Sequence, residues 1–232
     1  MSRERAELQG EGAQMVPKEM HMLKEVHHEP NILRPCDWGF DSEFVCLFYP
    51  RGENDILLSN HVLSKGCLSE TDTKIIVVQL YYALRNLSLR YKIVHTNLSP
   101  GSIFVNMPNK YPELTNFEHA VTIRSQSQKE NVKAECARLY LPKECKGEQN
   151  VSIGRLIPYQ LGQTMHYMCT GYFYTENYNK WPLEISMETR RFVMACLRPK
   201  GLNFYGIRKT CWFKNASAIY HDFLRRTNTT DL

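Results

Sequence analysis

Six side chains near the middle of the chain have types and spacing that bear on chemistry. His95, Asn97, Ser99 and Ser102 share the stretch Ile93-Val94-His95-Thr96-Asn97-Leu98-Ser99-Pro100-Gly101-Ser102-Ile103-Phe104-Val105, and Asn116 and Glu118 follow in Leu114-Thr115-Asn116-Phe117-Glu118. Apolar residues on either side make the first stretch a buried strand edge, a polar loop and another short strand. The amides and hydroxyls exchange hydrogen bonds readily. An amide does not take up a proton as a carboxylate does, and a neutral oxygen is a poor ligand for a hard dication. A metal site would have to be assembled from carboxylates elsewhere, Glu19, Glu113 or Glu118. The pair His27-His28 offers no shared ligand set, because neighbours on a helix point to different faces.

These residues need elements to hold them. Ser69-Glu70-Thr71-Asp72 opens a long helix, with Ser69 as cap and acids in the first turn. Ile76, Leu80, Ala83, Leu84 and Leu87 form its apolar stripe, and it delivers the chain to His95. After the loop, Ile103-Phe104-Val105 and Glu113-Leu114-Thr115 flank the turn Pro108-Asn109-Lys110 and predict a hairpin beside the site. Upstream, Met20, Leu23 and Val26 recur at helical spacing from Pro17 to Val26, before Pro30 ends the pattern. Residues 33–40 and 43–49 read as two strands around a turn at Asp41-Ser42, and residues 55–63 as a short helix. Downstream, residues 124–134 are polar and read as flexible. Trp181 to Leu197 reads as a loop and a helix with Phe192, Val193 and Cys196 inward, and residues 216–225 as a last helix. The first 15 residues read as disordered and 226–232 as a tail.

Composition narrows the class. With 232 residues and 43% hydrophobic content, the chain can build a substantial core. The net charge of +5, from 29 basic and 24 acidic residues, is interspersed and gives no nucleic-acid stripe. None of the eight cysteines forms a C-x-x-C pair. Cys46 and Cys196 lie in apolar runs, as small buried hydrophobes do, and reduced thiols imply an intracellular protein, cytoplasmic or nuclear. Zinc-ligand spacing is absent. The first five residues carry no secretory h-region, and no apolar run reaches membrane-span length. The N-x-S/T triplets at Asn86 and Asn215 read as chance matches in such a chain.

The central stretch resembles the catalytic loop of protein kinases, I-V-H-R-D-L-K-P-x-N-I-x-V. His95, Leu98, Pro100 and Ile103 match its framework. Thr96 stands at the Arg, Asn97 at the base Asp, Ser99 at the Lys and Ser102 at the metal-binding Asn. Asn116-Phe117-Glu118 falls where the family has D-F-G. The helix from Pro17 and the turn His28-Glu29-Pro30-Asn31-Ile32 are similar to αC and its H-P-N-I turn. Glu19 then takes the place of the Glu that pairs with the strand-three Lys; without that Lys it reads as a surface residue. Leu47 would be the gatekeeper and Phe48 would replace an acidic hinge residue. Tyr140-Leu141-Pro142-Lys143-Glu144 is similar to the A-P-E region. Ile157 to Gly162 is similar to D-x-W-S-L-G, with Ile157 replacing the Asp, and Cys211-Trp212-Phe213 to the H-P-W-F end of the lobe. Leu23, His95 and Phe117 fall where the family stacks its internal spine, with Pro35 outermost.

The resemblance implies an α+β, protein-kinase-like fold: a mainly helical C-lobe over 51–225, with αC and a remnant of the N-lobe sheet over 16–50. The residues before Pro17 are too few for a Gly-rich loop and the strand-three Lys. Phosphoryl transfer rests on positioning and charge neutralisation, and each lost catalytic group would cost roughly 3–5 kcal/mol. The expected protein is a catalytically inactive scaffold or regulator, a pseudokinase, without cofactor or metal. It would bind a protein partner, such as an active kinase or its substrate, and neither nucleic acid nor membrane. The alternative is a divergent active kinase or phosphotransferase using ATP and magnesium through non-standard residues. A fragment of a longer pseudokinase is a third reading.

Overall fold

The computed structural model describes residues 17–24, 26, 29–40, 45–124, 131–133, 136, 138–143, 150–177 and 180–228. Pro17 precedes the first helix, α1 (Lys18–Leu23), its fixed φ suiting a helix start. The helix stops short of the expected Val26, in a turn closed by the Val26 amide on the Leu23 carbonyl. It buries Glu19, Met22 and Leu23.

Residues 29–33 are fastened to the body of the molecule. The buried Glu29 carboxylate accepts hydrogen bonds from the Asn86 amide, the Tyr91 hydroxyl and Arg90. Asn31 has a left-handed φ of 64°, which Asn tolerates better than most residues. Its side-chain amide donates to the Pro112 carbonyl at 2.8 Å and to Gln79 at 3.4 Å. Its own carbonyl accepts from the Leu114 amide at 2.9 Å.

Strands β1 (Asp37–Phe40) and β2 (Val45–Phe48) form a two-stranded antiparallel sheet with Trp38 opposite Leu47. The turn expected at Asp41-Ser42, like the pair His27-His28, lies outside the described residues. Val45 is 43% and Phe48 54% exposed, and Cys46 is only half-buried, against expectation. A hairpin with no third strand among the described residues cannot bury both of its faces. Leu47, in the same strand, is also half-buried.

The helix expected over 55–63 is instead strand β3 (Asp55–Leu57) followed by α2 (Leu58–Lys65). β3 pairs with β5, so a sheet partner far along the chain overrides local helical periodicity. Helix α3 (Glu70–Asn86) matches expectation: the Ser69 hydroxyl caps it by accepting from the Asp72 amide at 3.0 Å. Its stripe is buried, with Ile76, Leu80 and Leu87 fully so. A π-helical turn, Leu87–Tyr91, leads to β4 (Ile93–Val94).

After a short 3-10 turn, Pro100–Ser102, come β5 (Ile103–Asn106) and β6 (Tyr111–Leu114), the expected hairpin. β7 (Val121–Thr122) pairs with β4. Within the stretch read as flexible, Asn131–Lys133 forms β8, antiparallel to β9 (Asn150–Ser152). Residues 125–130 and 134, like Glu144, lie outside the described residues.

Helix α4 (Ile153–Thr170) is buried at every position but Arg155. A helix apolar or satisfied on all sides belongs in the middle of a fold. It ends at Gly171, whose φ of 76° favours glycine. Helix α5 (Met187–Leu197) crosses it closely: a Cβ at Gly162 would stand 2.8 Å from the Cys196 Cβ. The last helix, α6 (Cys211–Asn228), is longer at both ends than expected and takes in residues 226–228, read as tail. Trp212 stacks on Phe192 at 4.1 Å and donates its indole N–H to Thr189. The whole is an α+β architecture, helices packed with small antiparallel sheets. No helix among the described residues is long and apolar enough to cross a membrane.

Candidate functional site

The site is built on the strand pair β4–β7, which sets the segments 95–99 and 115–119 side by side. At their junction His95 meets Phe117 edge-on, 4.7 Å between ring centres. His95 Nε2 lies 2.9 Å from the Thr115 carbonyl. A carbonyl only accepts, so Nε2 carries a proton. Nδ1 is buried without a hydrogen-bond partner. Burial lowers the pKa of His95 to about 4; the Thr115 carbonyl works against this, and His119 adds to it.

Two residues at this junction have left-handed backbones, Thr96 (φ 56°) and Asn116 (φ 62°). Asn adopts this region readily, whereas a β-branched residue does so only when its surroundings enforce it. The enforcement at Thr96 is visible. Its hydroxyl donates to the His119 carbonyl at 2.6 Å, and its carbonyl accepts from Gln160 Nε2 at 2.6 Å. Gln160 Oε1 also accepts from the Leu98 amide at 3.3 Å. One buried side chain of α4 therefore grips the loop on both sides of Asn97.

Ser102 ties Asn97 to Asn116. Its hydroxyl faces the carbonyls of Asn97 at 3.1 Å and Ser99 at 2.9 Å, and accepts from the Ser99 amide at 3.0 Å. Its carbonyl accepts from the amide of Thr115, the residue before Asn116. The half-buried Asn97 and Asn116 thus lie on two segments that Ser102 joins through the Asn97 carbonyl and the Thr115 amide. Ser102 itself is fully buried and its hydroxyl is consumed within the loop. The Ser99 side chain hydrogen-bonds the Tyr140 phenol; burial raises that phenol's pKa and this bond opposes the rise.

Glu19 departs from the surface position expected of it. It is 6% exposed, and its Oε1 accepts from the Tyr49 hydroxyl at 2.6 Å and the Phe117 amide at 2.9 Å. Burial raises its pKa; bonds from Tyr49 and from the Phe117 and Asn116 backbone oppose this, and the charge of Glu118 reinforces it. Burial and the Glu19 carboxylate raise the Tyr49 pKa in turn. A phenol, which stays neutral, occupies the side of Glu19 where a cation would neutralise the carboxylate.

Among the spine positions, Leu23 and Phe117 join the core and His95 packs on Phe117. Pro35 does not: it is half-buried and lies outside the core cluster. Ile157 is buried as an apolar residue, and Gln160, one turn further on, holds the loop. The sequence reading missed Gln160 and Tyr49. An amide inside the apolar run from Leu156 to Met168 is a usable signal for the first. The second carries none, since Tyr49 and Glu19 meet only through the fold.

The carboxylates Glu19, Glu113 and Glu118 do not converge. Glu118 lies within electrostatic reach of Glu19. Glu113, on β6, has its pKa raised by burial and by Asp55. Among the described residues no group of three or more His, Cys, Asp and Glu side chains is placed to hold a metal ion.

Glu19 gives a pH prediction. Its pKa is higher folded than unfolded, so the folded protein holds the extra proton. The buried charge then costs stability above the folded pKa, and the cost fades as pH falls toward the unfolded value. Glu19→Gln keeps an acceptor for Tyr49 and Phe117 without the charge. The expected result is a variant at least as stable as the parent at pH 8, with the advantage shrinking at pH 5 in urea unfolding. A variant weaker at both pH values would show that the carboxylate is a net stabiliser.

No protein-family model matches this chain, and no curated protein matches it significantly.

Proposed function

We propose that this chain is a protein-kinase-like lobe without catalytic power, a pseudokinase that works by binding another protein. The single observation that carries the reading is the way Ser102 binds the loop at Asn97 to the segment that bears Asn116. Amides occupy the seats of both acids, at Asn97 and Asn116, and Ser102, at the seat of the metal-binding Asn, has its hydroxyl bonded to the loop's own backbone. The pairing of Glu19 with Tyr49 and the Phe117 amide supports the same reading, because it satisfies the carboxylate without a lysine. What survives is framework: His95 on Phe117, Leu23 in the core, and a loop pinned by Gln160. A protein partner such as an active kinase or its substrate, and an intracellular setting, belong to the same proposal.

Thermal unfolding with and without millimolar MgATP tests it. A ligand at 100 times its Kd stabilises by about 2.7 kcal/mol, roughly 5–10 °C in a domain of this size. The expected result is an unchanged Tm and no transfer of labelled phosphate. A saturable, magnesium-dependent rise in Tm together with transfer would establish the divergent phosphotransferase instead.

A further inference from the structure

Between α3 and α6 lies an open groove of about 420 Å³, lined by Tyr82, Phe213, Arg208, Lys214, Ser217 and His221 among others. The helix period builds it. Lys214, Ser217, Ala218 and His221 fall at i, i+3, i+4 and i+7 and so share one face of α6. From α3, Tyr82 stands 40% exposed and meets the buried Phe213 edge-on at 5.9 Å. These two rings make an apolar floor. Arg208 and Lys214 are exposed at its border. Arg85 also stands near: it and Arg208 both act electrostatically on the buried Tyr81 phenol.

No carboxylate lines this groove. The acid that follows on α6, Asp222, is engaged by Arg225 and Arg226. Among the described residues, neither Arg208 nor Lys214 has a carboxylate partner. Cations with no carboxylate partner among the described residues, beside an exposed Tyr82 ring seated on the buried Phe213, give a site whose complement is both anionic and apolar.

We propose that this groove docks an acidic peptide segment of a partner protein. An aliphatic or aromatic side chain rests on Tyr82 and Phe213, and flanking carboxylates meet Arg208 and Lys214. A nucleic-acid strand fits less well. It needs a basic track running past the stacking rings, and the lining of this groove holds two such cations, Arg208 and Lys214. The groove lies outside the Asn97–Asn116 site of the proposed pseudokinase, and an active lobe would carry it equally.

Fluorescence anisotropy of the full chain with a labelled EEFLEE peptide tests this. Saturable binding is expected, weakened at least ~10-fold by the double variant R208E/K214E, which is about 1.4 kcal/mol. Replacing the peptide's glutamates by glutamines should weaken it similarly, and raising the salt from ~50 to ~300 mM should weaken it further. Both substituted residues are exposed, so an unchanged Tm verifies that the variant folds. Equal binding by the parent and R208E/K214E, or by the acidic and glutamine peptides, overturns the proposal. So does a preference for a single-stranded oligonucleotide over the peptide. Any of these outcomes leaves the pseudokinase reading untouched, since that stands or falls on the MgATP measurements.

Discussion

Gln160→Leu is expected to destabilise the protein by about 2–6 kcal/mol. Gln160 is 1% exposed and serves two backbone groups, the Thr96 carbonyl and the Leu98 amide. Leucine fills a similar volume but leaves both groups buried without partners, and each such orphan costs ~1–3 kcal/mol. For a chain of this size the loss corresponds to a fall in Tm of roughly 5–20 °C. The damage should be local as well. Thr96 holds a left-handed conformation only while its carbonyl and hydroxyl are engaged. Amide exchange in residues 96–102 should therefore accelerate more than in α3. A loss below 1 kcal/mol would mean that the loop finds other partners, and that α4 does not organise it.

The second large effect is with acid. The folded pKa of His95, about 4, lies below the ordinary unfolded value of about 6.5. A depressed histidine contributes stability that is fully present above the unfolded value and is lost as pH falls through the folded one. The loss runs from about pH 6.5 to 4 and amounts to about 3 kcal/mol, because a tenfold change in proton affinity is worth about 1.4 kcal/mol. The cause is structural: a second proton would sit on Nδ1, which is buried with nothing to accept from it. His95→Phe keeps a ring against Phe117 but has no proton to gain. Guanidinium unfolding at pH 7.5, 5.5 and 4.0 should show the parent losing stability faster than this variant. Protonation of Glu19 acts in the opposite direction in both proteins, so the difference between them isolates His95. Parallel curves would mean that the ring reaches water when charged.

Elements encoded by short-range signals were legible in the sequence. The Ser69 cap and its apolar stripe placed α3, and the Pro108-Asn109-Lys110 turn placed the β5–β6 hairpin. Elements decided at long range were not legible. Asp55–Leu57 extends because β5, some fifty residues later, offers it a partner. Asn131–Lys133 looks polar and loose until β9 arrives. Glu19 reads as a surface acid because its partners, Tyr49 and Phe117, lie 30 and 98 residues away. Gln160 was hidden by the same separation from the loop it holds.

The fastening at residues 29–33 governs how the molecule can breathe. Four contacts, from Asn31 to Pro112 and Gln79, from Leu114 to Asn31 and from Leu33 to Leu114, would part together if α1 and the β1–β2 hairpin swung away. At ~1 kcal/mol each they alone confine the swung-out form to about one molecule in a thousand, and the Glu19–Phe117 bond and the buried Met22 and Leu23 lower it further. The Glu29 carboxylate adds its own hold to these. A protein gripping the hairpin would therefore hold a handle welded to α3, and its orientation, not a swinging motion, would be what the rest of the chain senses.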